Sequence, residues 1–149
     1  MPLKLTAPVY KQFTLEQSDE KYEIEGATTV TIKQAAQHEH MIRQDFFSTL
    51  ERKYDSLTPD EVSIVQRIAL EELKQLEVWL TLVECNIVDF NDKPLFPSKK
   101  NKAGNQRLAM QKLQFENNWG LLPPDVATEI HEKVHEVNQQ WGGAEGEEK

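Results

Sequence analysis

The segment Thr58-Pro59-Asp60-Glu61 constrains this chain more than any other, because it specifies where a long helix begins. Thr58 suits the N-cap, Pro59 has no N–H to leave unpaired in the first turn, Glu61 completes a capping box, and Leu57 can staple against Val62. The helix start is therefore set locally. Beyond it Val62, Val65, Ala69, Leu73, Leu76, Leu80, Val83 and Ile87 recur at threes and fours, an apolar stripe that can face a neighbouring helix for its whole length. From Leu76 onward Val78, Trp79 and Leu82 add a second apolar side. The C-terminal half of this helix is expected to be enclosed, by the same domain in preference to another subunit.

The flanking sequence supplies what such a helix packs against. Val9 to Leu15, Tyr22 to Glu25 and Thr28 to Ile32 read as strands, with Tyr22/Ile24 and Val30/Ile32 alternating against polar neighbours and turns at Ser18-Asp19-Glu20 and Glu25-Gly26-Ala27. A helix is expected from about Lys33 to Tyr54, opened by Thr31 and Gln34 and carrying Ala35, Ile42, Phe46 and Leu50 on one face. Leu108, Phe115 and Trp119 lie on one side of a shorter helix that Gly120 can end through a left-handed C-cap. Pro124 and Asp125 open a final helix with Val126, Ile130, Val134, Val137 and Trp141 on its apolar stripe. The expected fold is α+β, mainly α: a small N-terminal antiparallel β-meander over 8–32, packed on a bundle of about four helices over 33–141. These form one domain, 1–141, followed by a disordered tail, 142–149.

Length and charge narrow the function. The 149 residues have room for one domain with a real core. No run reaches the roughly 18 apolar residues of a membrane span, and no signal-peptide core is present at the N-terminus, so a cytoplasmic, membrane-free protein is expected. A net charge of −8 opposes nucleic-acid phosphates. Lys93, Lys99, Lys100 and Lys102 are the local exception, in a segment read as a solvated loop in preference to a phosphate-binding one, and able to meet an acidic partner protein. Cys85 sits among Leu82, Val83 and Ile87 and reads as a small core residue.

One stretch has the lettering of a catalytic motif. His131-Glu132-Lys133-Val134-His135 places two histidines four apart on a helix, where they can chelate one zinc, with Glu132 between them as a base toward a zinc-bound water. Against this, Lys133 and Glu136 are charged where a buried catalytic helix is apolar, and the usual third ligand downstream is missing. The histidines also fall outside the Val126 to Trp141 stripe. A solvated helix flank is the favoured reading, with no metal and no cofactor; a zinc-dependent hydrolase using His131, Glu132 and His135 is the alternative. His38 and His40 are two apart and do not face each other on a helix.

Three blocks taken together carry a family resemblance. They are Thr28-Thr29-Val30-Thr31-Ile32-Lys33-Gln34-Ala35, then Leu80-Thr81-Leu82-Val83-Glu84-Cys85-Asn86-Ile87 with Lys93-Pro94-Leu95-Phe96, then Trp119-Gly120-Leu121-Leu122-Pro123-Pro124-Asp125-Val126 with Ile130-His131-Glu132-Lys133-Val134. From about Tyr22 to Trp141 the chain resembles small tail-assembly proteins of long-tailed bacteriophages and prophages, in particular the tail assembly chaperones. The resemblance implies a non-enzymatic protein of the host cytoplasm that binds the long helical tape-measure protein and keeps it soluble while the tail tube polymerises around it. It also implies absence from the finished virion and, often, a longer frameshifted product. It transfers no functional residue. The residues alone nominate the long stripe and the tryptophans as the partner-binding surface: Val65, Leu73, Leu76, Trp79, Leu80, Trp119 and Trp141, with self-association as a second use. A head-tail connector or other minor virion protein is the alternative within the same context.

Overall fold

A computed structural model of the chain describes residues 9–16, 28–100 and 106–141. In chain order the elements are β1 (Tyr10–Thr14), β2 (Thr29–Lys33), α1 (Gln37–Tyr54), α2 (Pro59–Thr81), β3 (Leu82–Cys85), β4 (Ser98–Lys100), β5 (Gln106–Leu108), α3 (Lys112–Trp119) and α4 (Pro124–Val137). The class is the one expected, α+β and mainly helical, with an N-terminal antiparallel sheet laid against helices. The expected strand at Tyr22 to Glu25 and the tail 142–149 lie outside the described residues.

The three-stranded sheet has the order β1-β2-β3. Phe13 pairs with Val30 on one side of β2, and Val30 pairs with Cys85 on the other. The third strand is thus Leu82–Cys85, which the stripe pattern assigned to the long helix. Two features stop that helix at Thr81. The Thr81 hydroxyl donates back to the Glu77 carbonyl at 2.7 Å, and Leu82 turns extended while its N–H still bonds Val78. Leu82 and Val83 then sit at a register break opposite Thr31 and Ile32, a bulge that lets two successive residues both point into the core. Leu82, Val83 and Cys85 are all buried. Within the Lys-rich segment, expected as a loop, Ser98–Lys100 pairs antiparallel with Gln106–Leu108, Lys99 lying opposite Arg107.

Helix α2 begins as its sequence specifies. The Thr58 N–H bonds the Glu61 carboxylate at 2.9 Å and the Glu61 N–H bonds the Thr58 hydroxyl at 3.3 Å. Helix α1 starts four residues later than expected, with the Glu39 carboxylate accepting from the Ala36 N–H at 2.8 Å in place of the Thr31 and Gln34 box. Gly120 ends α3 in right-handed geometry, φ −64° and ψ −15°, so no left-handed cap is used. Leu108 belongs to β5 rather than to α3.

The core gathers Leu15, Val30 and Ile32 from the sheet, Leu76, Val78 and Leu80 from α2, and Val126, Ile130 and Val134 from α4. Phe96, Phe115 and Trp119 extend it as an aromatic cluster, with Phe115 stacked on Trp119 at 5.8 Å. Burying an aromatic side chain of this kind contributes about 2–3 kcal/mol. Asn138 closes the assembly from below α4. Its fully buried side chain accepts from the Ala35 N–H at 2.7 Å and donates to the carbonyls of Lys33 and Val134, so the end of α4 is tied to the end of β2.

Candidate functional site

Glu77 is a carboxylate with no solvent exposure, one residue round α2 from the core position Leu76. Burial without partners would force such a group to protonate. Three donors prevent this. One oxygen, Oε1, meets His131 Nε2 at 2.7 Å and His135 Nε2 at 2.8 Å; the other, Oε2, accepts from Arg43 Nε at 2.7 Å. Burial by itself would raise the Glu77 pKa, but the hydrogen bonds from His131, His135 and Arg43, with the Arg43 charge, outweigh it and hold the carboxyl at about 2. An ionised carboxylate only accepts, so each imidazole presents an Nε2–H to it.

The helical repeat explains why the two histidines converge. Ile130 and Val134 lie on the apolar stripe of α4, and His131 and His135 follow each of them by 100°, one above the other along the helix. Their rings are 4.3 Å apart. That edge of α4 was expected to face solvent. In the structure it faces α2, and the His131 and His135 side chains keep only 13% and 18% of their exposure. A wheel gives the angle of a residue but not what stands opposite it. Arg43, near the start of α1, reaches Glu77, near the end of α2, so these helices run antiparallel and together cover the edge of α4.

Arg43 extends the cluster further. Its guanidinium lies 5.0 Å from the Phe47 ring centre and 5.1 Å from that of Trp141. Trp141 in turn donates its indole N–H to His40 Nδ1 at 3.0 Å, with the two rings edge to face. His38 is exposed and takes no part, in keeping with the spacing argument. The Glu77 oxygen and the two histidine nitrogens lie within 4.8 Å of one another, a donor set able to hold a metal ion. Glu132 is elsewhere. It is exposed and lines a shallow depression with Glu16, Asp125, Glu129 and Lys133, one step round the helix from the histidine edge. A base aimed at a histidine-bound water is therefore not assembled.

The nominated partner-binding residues are largely occupied within the chain. Leu73, Leu76, Leu80, Trp119 and Trp141 are buried, and Val65 and Trp79 are half-buried, so the stripe serves the domain's own core and is not a free surface. The apolar surface of α2 lies on its opposite side. Ile64 and Ile68, one turn apart, are 52% and 55% exposed, and Arg67, Glu71, Glu72 and Gln75 complete that face. Their four-residue spacing is visible in the sequence but lies off the stripe from Val62 to Ile87. Cys85 is buried, and burial raises its thiol to about 11, which agrees with a core role. Among the described residues no helix is long and apolar enough to cross a membrane. Comparison with protein-family models, curated proteins and solved structures finds no match to this chain.

Proposed function

We propose that this chain is a non-enzymatic assembly factor that holds an amphipathic helix of a larger partner against the free face of α2. The observation that supports this reading most directly is the pair Ile64 and Ile68, half-exposed on a helix whose other side is already packed. Two large β-branched side chains one turn apart are the usual anchors for a partner helix, and Arg67, Glu71 and Glu72 give the rim both signs of charge to set its register. The resemblance to tail assembly chaperones supplies the partner. A tape-measure protein is long and helical, and covering its apolar seam would keep it soluble until the tail tube encloses it.

Co-expression with a tape-measure protein from the same genome tests the proposal. Wild-type chain should hold that protein in the soluble fraction, and the double variant Ile64→Glu, Ile68→Glu should lose at least about tenfold of it while keeping a wild-type circular dichroism spectrum. If the double variant works as well as wild type, or if the tape-measure protein is equally soluble alone, the proposal is wrong.

A further inference from the structure

We propose that Glu77, His131 and His135 form a zinc site that staples α2 to α4. This goes beyond the partner-binding reading and stands independently of it. The three atoms are already convergent: both Nε2 nitrogens contact the same Glu77 oxygen, at 2.7 and 2.8 Å. Two imidazoles and one carboxylate are a donor set that zinc accepts, leaving a fourth position for water. The i, i+4 spacing of the histidines fixes their half of the site on one helix, and the rigid, fully buried Glu77 supplies the other half from a second helix.

The two contacts to Glu77 Oε1 lie close to the spacing that coordination requires. Ligand atoms about 2.0–2.1 Å from a tetrahedral zinc stand roughly 3.3 Å apart, so each ring must withdraw by about half an ångström. The two side chains keep 13% and 18% of their exposure. On binding, the ring proton moves from Nε2 to Nδ1, and the Nε2 lone pair and the Glu77 Oε1 lone pair turn to the metal. Where Nδ1 already carries a hydrogen, the displaced Nε2 proton passes to solvent. Arg43 stays on Oε2 at 2.7 Å and keeps the carboxylate in place, the part that outer hydrogen-bond partners play at metal sites. Its positive charge also weakens the affinity, so a Kd in the micromolar range is expected in place of the much tighter values of thiolate sites. Glu132 is not a ligand.

The test is a calorimetric titration of the chelator-treated full chain with zinc chloride, repeated with cobalt to read the coordination geometry from visible absorption. One equivalent should bind, cobalt should give the intense bands of a four-coordinate site, and the melting temperature should rise with zinc. His131→Ala and His135→Ala should each weaken binding by at least about tenfold, while His38→Ala and Glu132→Gln should leave it unchanged. Glu77→Gln should behave like the histidine variants; if it does not fold, the histidine variants decide. Absence of zinc uptake by wild type, or uptake that survives loss of both histidines, overturns the site. Neither result bears on whether the Ile64 and Ile68 face holds a partner helix.

Discussion

The two halves of α2 are built from similar residues and end in opposite environments. From Leu73 onward the helix is largely enclosed: Leu73, Leu76, Glu77, Val78 and Leu80 are all buried, and these positions span more than half of the helix circumference, while Lys74 stays exposed. From Pro59 to Ile68 no residue is buried, although Val62, Ile64, Val65 and Ile68 are as apolar as the later ones. The N-terminal half starts at its cap and has only Val62 and Val65 half-buried among its apolar side chains. Hydrophobic content therefore did not decide burial here; the number of elements available to cover each turn did. The sheet, α3 and α4 all converge on the later turns, and that is where a carboxylate could be enclosed with its three donors.

The largest expected contrast comes from removing that carboxylate. Glu77→Ala leaves Arg43 and two imidazole N–H groups buried without their acceptor and should cost about 3–5 kcal/mol, read as a fall in the urea midpoint. Acid should act on the same half. The Glu77 carboxyl is held at about 2 in the fold against 4.5 ordinarily, so its contribution is complete above pH 4.5 and is lost as pH falls toward 2. The loss amounts to about 3 kcal/mol and should appear in chelator-treated protein as a falling melting temperature across that window. Glu77→Gln should flatten this dependence. The smallest effect belongs to the other half: Thr58→Ala removes the N-cap and should cost about 1 kcal/mol, with faster amide exchange confined to the first turns of α2. A Thr58→Ala effect as large as that of Glu77→Ala would erase the distinction between the halves.

What could be read from sequence follows the range of the interactions concerned. The Thr58 box, the core stripe of α2 and the apolar stripe of α4 were legible because each is encoded within a few turns. Thr81 to Cys85 was not. Leu80, Val83 and Ile87 keep helical spacing while Thr81 and Val83 suit a strand equally well, and the decision rests on pairing with β2, about 50 residues earlier in the chain. The same limit hid the candidate site. His131 and His135 could be placed on one edge of α4, but Glu77 and Arg43 face them only through tertiary packing, at separations of 54 residues between His131 and Glu77 and 34 between Arg43 and Glu77. Most of the nominated stripe is taken up by the chain's own core, because a sequence marks what is apolar without saying which apolar residues the chain itself will use.

The tie between Asn138 and Ala35 has a consequence for the order of assembly. It joins residues 103 apart, Glu16 bonds Glu129 across 113, and His40 bonds Trp141 across 101. At the roughly 5–20 residues per second of ribosomal synthesis, the sheet, complete at Cys85, waits on the order of 3–10 s for α4 to be finished at Val137. During that interval β2 already has β1 and β3 on its two edges, its face toward α4 is uncovered, and of its three donors Glu77 can meet only Arg43. Closure of this fold is thus a late event that follows the emergence of α4 and is slowed by the long loops it must close.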